Sequence, residues 1–314
     1  DAGPSSRRVR VIYIIGAGRS GSTVLDTVLG NHPDVVSVGE LGNLPRSGWT
    51  DGEYCACGER ADVCGFWTTV RETWQQLVPS ASVGSYLGLR DRCERFGWRG
   101  WLAAIGPRAR HAEYIDQTRW LLEAIALVSG RRTIVDSSKN PLRAMWLAEI
   151  PEIDLRLVHL VRDSRAVAWS RKKALSRDVA AGVGQALASR PAWKSVAYWT
   201  VVNLLSSRLR RRHGRGGVLV RYEDFVSDPA TSLMRIGEAC DLDCRELADR
   251  VLAGEAFPVG HTVAGNRLRM AGRVTLEADW DWVSMLPPRD RRLCWALSGW
   301  LLKQYDYPRQ VRAA

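Results

Sequence analysis

The chain has 314 residues, of which 46% are hydrophobic and 25% are charged. This composition is typical of a folded globular protein and excludes a wholly disordered or fibrous chain. No apolar run approaches the ~18 residues of a membrane-spanning helix, and the N-terminal residues lack the apolar core of a secretory signal. We therefore expect a cytoplasmic protein without stable membrane association. The net charge of +11 favours anionic partners such as nucleotides, nucleic acids or membrane surfaces.

Four strand-like runs, each followed by a helix-like run, predict an α/β fold. The first strand, Val9–Ile15, is mainly β-branched and apolar, as in a strand buried on both faces. A glycine-rich turn joins it to a helix at 24–29. The same order returns three times, at 133–135 with 141–149, 155–161 with 164–171, and 218–221 with 230–240. The alternation predicts a P-loop-like central parallel sheet flanked by helices, with ligands at the carboxyl ends of the strands.

Two stretches interrupt this alternation. Residues 45–115 are rich in Trp, Gly and Arg and are predicted to form a cap or insertion on the sheet. Residues 174–195 have little periodicity and are predicted to form a mobile lid. Neither stretch resembles an interdomain linker, so we predict a single domain over residues 1–314.

The glycine-rich turn is typical of a loop that binds phosphate or sulfate oxygens, because it places backbone N–H groups at the start of a helix. Gly16 and Gly21 have the spacing of a Walker A loop, but Ser22 stands where that motif has lysine. A nucleoside triphosphatase uses this lysine on the β- and γ-phosphates. Here the loop's cation is Arg19, which argues against a P-loop kinase or triphosphatase.

The sequence resembles the sulfotransferases that use 3′-phosphoadenosine 5′-phosphosulfate (PAPS), namely the bacterial, carbohydrate and tyrosylprotein types. The resemblance lies in five segments that occur in family order between residue 11 and about residue 282. These are Gly18-Arg19-Ser20-Gly21-Ser22-Thr23 with Asn31-His32-Pro33-Asp34 and Gly39-Glu40, Asp136-Ser137-Ser138-Lys139, Leu160-Val161-Arg162-Asp163 with Ser170, Arg221-Tyr222-Glu223-Asp224 with Asp228-Pro229, and Gly265-Asn266-Arg267-Leu268-Arg269.

The resemblance implies a set of donor-binding residues. The loop residues hold the 5′-phosphosulfate, and Arg162 with Ser170 binds the 3′-phosphate, since both follow one strand closely enough to converge on a single anion. Tyr222 lies beside the adenine. Arg269 fits one family pattern for a further phosphate contact, and Arg273 fits another. The implied donor-binding residues are Gly18, Arg19, Ser20, Gly21, Ser22, Thr23, Arg162, Ser170, Tyr222, Asn266, Arg269 and Arg273.

Sulfuryl transfer by in-line attack needs a base for the acceptor and cations for the sulfuryl and leaving-group oxygens. The resemblance implies Glu40 as the base, because the region of Lys139 contains no histidine of the kind that cytosolic sulfotransferases use. Arg19 and Lys139 supply the charge. No metal is required by this scheme. His32 and His159 are interpreted as structural residues.

The cysteines and the tryptophans of the predicted cap can each be interpreted in two ways. Cys55, Cys57 and Cys64 cluster in sequence, but only three cysteines do so and no partner pair has metal-site spacing, so no metal is expected. Most tryptophans belong in a core by default. Those of the cap are also candidates to line an apolar acceptor pocket, and they are Trp49, Trp67, Trp98 and Trp101.

The sequence thus predicts a PAPS-dependent sulfotransferase whose cap lies over the acceptor side and whose acceptor is a small molecule or natural product. The alternatives are a P-loop nucleotide kinase or triphosphatase, a basic nucleic-acid-binding protein, and a non-catalytic nucleotide-binding protein. Saturable binding of adenosine 3′,5′-bisphosphate without magnesium distinguishes the first prediction from the kinase and nucleic-acid readings. No nucleic-acid partner is expected, and a homodimer is left open.

Overall fold

The computed structural model describes residues 8–95, 97, 111–173 and 188–311. These residues form a five-stranded parallel sheet in the order β2-β3-β1-β4-β5. The strands are β1 (Val9–Ile15), β2 (Val35–Ser37), β3 (Thr133–Lys139), β4 (Ile153–Val161) and β5 (Gly217–Arg221). A short antiparallel pair, β6 (Phe257–Pro258) with β7 (Arg273–Val274), lies apart from this sheet.

Helices flank the sheet on both faces, as apolar clusters on either side of β1 show. They are α1 (Ser22–Gly30), α2 (Gly65–Leu77), α3 (Val83–Glu94), α4 (Ala112–Ser129), α5 (Pro141–Leu147), α6 (Ser164–Lys172), α7 (Ala192–Arg212), α8 (Tyr222–Ser227), α9 (Pro229–Cys240), α10 (Arg245–Leu252), α11 (Trp282–Met285) and α12 (Pro288–Gln304).

The predicted α/β fold with a central parallel sheet is confirmed, and all four predicted strands belong to that sheet. Two features were missed. The edge strand β2 has only three residues, too few for a periodic pattern. β3 continues to Lys139, beyond the predicted end at residue 135, because its last residues are polar and do not read as a buried strand.

The end of β1 shows why the glycine loop begins where it does. Gly16 follows β1 with a φ of +141°, and a Cβ atom there would lie 2.3 Å from the carbonyl oxygen of Leu160 in β4. Only glycine fits this close approach of two backbones. The chain therefore leaves the sheet at Gly16 and turns directly into α1.

The structure describes most of the predicted cap but only the last part of the predicted lid. Within the predicted cap, α2 and α3 pack with α4 in one apolar cluster, and Trp49 and Trp67 are buried in it. These two tryptophans are core residues and offer almost no exposed surface to an acceptor. Trp98 and Trp101 lie outside the described residues, and so do residues 174–187 of the predicted lid. Residues 192–195, the last residues of the predicted lid, form the start of α7. Every helix in the described part of the chain is too short or too polar to cross a bilayer.

Candidate active site

A cleft of about 260 Å³ opens at the carboxyl ends of the strands, where β1 turns into α1. It is lined by residues from four separate parts of the chain, which the sheet brings to one edge. The lining residues are Gly18, Arg19, Gly21, Ser22, Thr23, Val24, Glu40, Lys139, Gly265, Asn266 and Leu268. Eight of the residues predicted from the sequence therefore share one cleft, namely Gly18, Arg19, Gly21, Ser22, Thr23, Glu40, Lys139 and Asn266.

The glycine loop (residues 16–23) is held against the sheet by its own side chains and by Tyr222. Ser20 is buried, and its hydroxyl donates to the Ala17 carbonyl at 2.8 Å, so this side chain shapes the loop and does not face the cleft. Gly21 has a φ of +85°, and a Cβ atom there would lie 2.5 Å from the Tyr222 ring. The backbone N–H groups at the start of α1 are left to face an anion in the cleft.

Glu40 and Lys139 form an ion pair inside the cleft. The Lys139 ammonium donates to Glu40 Oε1 and, at 2.9 Å, to the Ser137 carbonyl. Asn43 donates to the other carboxylate oxygen, Glu40 Oε2, at 2.7 Å. Both side chains of the pair are largely buried. The carboxylate is therefore fixed in position by two donors, beside a cation that faces the glycine loop.

Two further arginines, Arg171 and Arg267, lie close enough to Arg19 for their charges to interact, and the sequence analysis gave neither of them a role. Burial lowers the pKa of Arg19, and the positive charge of Arg267 lowers it further, while Glu40 opposes the shift. The pKa of Arg171 is also lowered, first by burial and then by the charges of Arg190 and Arg19. Because like charges repel, this group of arginines favours a bound anion. The sequence offered one indication of this group, because Arg171 directly follows the predicted donor-binding residue Ser170.

Arg162 lies at the end of β4, beside the cleft. Its guanidinium donates to the Arg19 carbonyl at 3.3 Å and to the Asp279 carbonyl at 2.8 Å, and it pairs with the Asp279 carboxylate at 3.0 Å. The Tyr222 ring lies 4.4 Å below the guanidinium carbon. Arg162 is thus attached to the glycine loop and remains a candidate for an anion on the same side of the sheet.

The remaining predicted donor-binding residues do not line the cleft. Tyr222 is only 6% exposed and its hydroxyl donates to the Glu277 carbonyl, so its ring supports Arg162 and the loop. Arg269 is 1% exposed and pairs with Glu53 at 2.5 Å. Arg273 is exposed and donates to the Ala256 carbonyl. Ser170 is partly exposed, near the end of α6.

The two histidines that were interpreted as structural have internal partners. His32 accepts from the Asp34 backbone N–H at 3.1 Å, and its other ring nitrogen lies 3.2 Å from the Asp243 carbonyl. His159 is fully buried in β4 and its Nε2 lies 3.0 Å from Asn203 Oδ1. Burial lowers the pKa of His159 to about 4. Neither histidine lines the cleft.

The structure brings four candidate metal ligands together, whereas the sequence indicated three. Cys55, Cys57 and Cys64 lie together as their sequence positions indicate, and His261 joins them from a distant part of the sequence. The prediction from the three cysteines therefore missed a fourth side chain. A local spacing pattern has no means of detecting a residue that reaches the cluster from 197 positions away.

Comparison with known proteins identifies the family. A family model described as "Sulfotransferase family" matches residues 11–246, which is more than half of the chain. The chain belongs to the sulfotransferase family. It is therefore an enzyme that transfers a sulfuryl group, and neither the kinase nor the nucleic-acid alternative gains support.

Solved sulfotransferase structures share the fold of this sulfotransferase at low sequence identity. The sulfotransferase domain from the curacin biosynthetic pathway is 15% identical, with a TM-score of 0.51, and the match covers 96% of this chain and 99% of that one. Sulfotransferase STF9 from Mycobacterium avium is 13% identical, with a TM-score of 0.50, and the match covers 96% of this chain and 78% of that one. No curated protein matches the sequence at a significant level.

Proposed function

We propose that this sulfotransferase uses PAPS as donor and transfers its sulfuryl group to a hydroxyl or amine of a small-molecule acceptor. The observation that carries the proposal is the meeting of the glycine loop, Glu40 and Lys139 in one cleft. Start-of-helix N–H groups and Arg19 suit the 5′-phosphosulfate. Arg162, on the same side of the sheet, suits the 3′-phosphate.

The proposed step is an in-line displacement at sulfur. The acceptor oxygen or nitrogen forms a new bond to sulfur as the bond from sulfur to the 5′-phosphate oxygen breaks. Glu40 takes the acceptor's proton, and the leaving group departs as adenosine 3′,5′-bisphosphate. Lys139 and Arg19 stabilise the charge that grows on the leaving phosphate and the sulfuryl oxygens. The scheme balances without a redox partner.

Asn266 and several residues outside the cleft have supporting roles in this proposal. Tyr222 positions Arg162 and the glycine loop, with one face under the guanidinium and one edge against Gly21. Asn266 caps the turn at Arg267–Ala271 by accepting from the Leu268 N–H at 3.1 Å. Arg269, paired with Glu53, fixes the same turn from behind. Arg171 and Arg267 add positive charge near Arg19.

The acceptor and the cellular setting are also proposals. A small molecule of secondary metabolism fits the name of the curacin-pathway domain, which shares this fold. All seven cysteines lie in the described ranges and none of them forms a disulfide, which fits a reducing compartment such as the cytoplasm.

Thermal unfolding with two ligands tests the donor. Adenosine 3′,5′-bisphosphate without magnesium should raise the melting temperature, because a ligand at 100 times its Kd stabilises the native state by about 2.7 kcal/mol. ATP with magnesium should give a much smaller rise. Labelled PAPS incubated with a panel of hydroxyl and amine acceptors then tests turnover. A response to ATP with magnesium and none to the bisphosphate would overturn the donor assignment.

A further inference from the structure

Four side chains that can bind a metal come together from a hairpin, the start of a helix and a loop. We call this group the Cys/His cluster, and it consists of Cys55, Cys57, Cys64 and His261. Their ligand atoms all lie within 4.8 Å of one another. The cluster is separate from the cleft, and none of its members has a role in the proposed sulfuryl transfer.

Three of the six distances within the cluster are close to the edges of a metal tetrahedron, and all six are within 4.8 Å. With Zn–S bonds of about 2.3 Å and Zn–N bonds of about 2.0 Å, a tetrahedral site has S–S edges of about 3.8 Å and S–N edges of about 3.5 Å. The sulfurs of Cys57 and Cys64 are 3.6 Å apart. Nδ1 of His261 lies 3.3 Å from the Cys64 sulfur and 3.8 Å from the Cys55 sulfur.

The backbone around the cluster is folded to present sulfur atoms. Tyr54 and Arg60 pair across a tight hairpin that holds Cys55 and Cys57. The Cys55 N–H donates to the Glu59 carbonyl at 2.8 Å and the Gly58 N–H donates to the Cys55 carbonyl at 3.0 Å, which closes the hairpin. Cys64 is the residue before α2, and its N–H donates to the Arg60 carbonyl at 2.8 Å. The start of a helix favours the negative charge of a thiolate.

The fourth side chain is held in place independently of any metal. The Ala56 N–H donates to the Thr262 carbonyl at 2.9 Å, which fastens the hairpin to the loop that holds His261. The ring of His261 stacks on Phe66 with centroids 5.0 Å apart. The imidazole is thus oriented with Nδ1 toward the sulfurs before a metal binds.

We propose that the Cys/His cluster binds one Zn²⁺ ion as a structural site. Three cysteine sulfurs and one imidazole are a donor set typical of closed zinc sites, and the protein would fill all four positions. The ion would join the hairpin at residues 54–60 to the loop at 260–262. That loop leads directly to Val263, which pairs with Gly39, and to Gly265 and Asn266 in the cleft.

Metal analysis of the purified protein tests the proposal. The protein is produced without a histidine tag in zinc-supplemented medium, and metals are measured by mass spectrometry. We expect about one zinc per chain, falling below about 0.2 in Cys57→Ser and in His261→Asn. Both side chains are exposed, so these changes leave the core intact. The matched control is Cys93→Ser, whose sulfur lies 3.4 Å from His111 Nδ1 outside the cluster, and it should keep the zinc.

A second measurement does not depend on the variants. Cobalt exchanged into the wild-type protein should give the visible bands of tetrahedral Co²⁺ with thiolate-to-metal charge transfer, and a zinc chelator should lower the melting temperature of the wild type but not of Cys57→Ser. The proposal is overturned by a protein that contains no zinc, by zinc retained at the wild-type level in both cluster variants, or by iron as the bound metal. It is also overturned by a Cys57–Cys64 disulfide in protein kept under reducing conditions. None of these outcomes bears on PAPS binding.

Discussion

Arg19 and Lys139 both have left-handed backbone conformations, with φ of +76° and +66°, and both line the cleft. Each such conformation costs about 1 to 3 kcal/mol in a residue other than glycine. At Lys139 the pairing of β1 with β3 shifts register, as at a β-bulge, and the bulge turns the side chain toward Glu40. Two of the five left-handed residues other than glycine in the described part of the chain are thus the two cations of the proposed chemistry.

Replacement of the proposed base by an isosteric amide separates chemistry from donor binding. In Glu40→Gln the single amide oxygen accepts from Asn43 or from Lys139 but not from both, and the side chain no longer takes the acceptor's proton. We expect kcat to fall by about 100-fold or more, with the affinity for adenosine 3′,5′-bisphosphate nearly unchanged. Steady-state kinetics with labelled PAPS and calorimetry with the bisphosphate measure the two quantities. Turnover at the wild-type rate would remove Glu40 from the base's role.

Asp26 gives the stability of the protein a dependence on pH. It is fully buried in α1 and accepts from the Ser37 hydroxyl at 2.5 Å. Burial raises its pKa from 3.8 to about 7. Between these values the native state holds a proton that the unfolded state has released, so the free energy of unfolding falls as pH rises through this window.

We expect Asp26→Asn to remove this dependence. Relative to the variant, the wild type should lose about 2 to 3 kcal/mol of unfolding free energy between about pH 5 and about pH 8. Urea denaturation of both proteins at the two pH values measures the difference. Asn keeps an oxygen that accepts from Ser37, so the comparison isolates the charge. Equal changes in the two proteins would mean that Asp26 titrates as in the unfolded chain.

At the scale of elements, the sequence predicted the glycine loop and three of the strand ends, and parallel strands bring their carboxyl ends to one edge. Glu40 was indicated only by the resemblance to sulfotransferases, and its contact with Lys139 was not predicted. It did not predict that Asp279 would reach Arg162 or that Glu53 would bind Arg269. Those contacts come from irregular segments, one between β7 and α11 and one before α2, which carry neither period 2 nor period 3.6. They join residues far apart in the sequence, which no local pattern encodes.

The contact between β4 and the segment before α11 predicts opposite effects of two substitutions on bisphosphate binding. Arg162→Ala should weaken the affinity by about 10-fold to 100-fold, as expected for a lost hydrogen bond to a charged group. Asp279→Asn should strengthen it by about 2-fold to 5-fold, because the half-exposed carboxylate no longer competes for the guanidinium. Calorimetric titration measures both. Unchanged affinity in Arg162→Ala would remove this residue from the proposed phosphate site.

At the scale of the whole molecule, the C-terminal residues close the carboxyl end of β4. The Arg165 guanidinium pairs with Asp163 at 2.6 Å and donates to the carbonyls of Pro308 and Arg309. The Asp163 N–H donates to Glu223 Oε1 at 3.1 Å. This network of buried charges lies directly after Arg162. A sequence pattern indicated Arg162 but not the network, since its members come from the start of α6, from α8 and from the residues after α12.

Tyr307 is the member of this network whose removal is easiest to interpret. Its hydroxyl donates to Glu223 Oε2 at 2.5 Å and lies 3.2 Å from the Val161 carbonyl. Burial and the charge of Asp163 raise the pKa of Glu223. Tyr307→Phe leaves that buried carboxylate with one donor fewer, so we expect a loss of about 1 to 3 kcal/mol in the free energy of unfolding.

The matched comparison is Tyr305→Phe, because the Tyr305 hydroxyl is also buried but has neutral partners, Ser207 at 2.7 Å and the Asn203 carbonyl at 3.1 Å. Its loss should be about 0.5 to 1.5 kcal/mol, since hydrogen bonds between neutral groups contribute less than those to a carboxylate. Urea denaturation near neutral pH measures both variants. An equal loss in the two would mean that the charge of Glu223 adds nothing to the hydrogen bond from Tyr307.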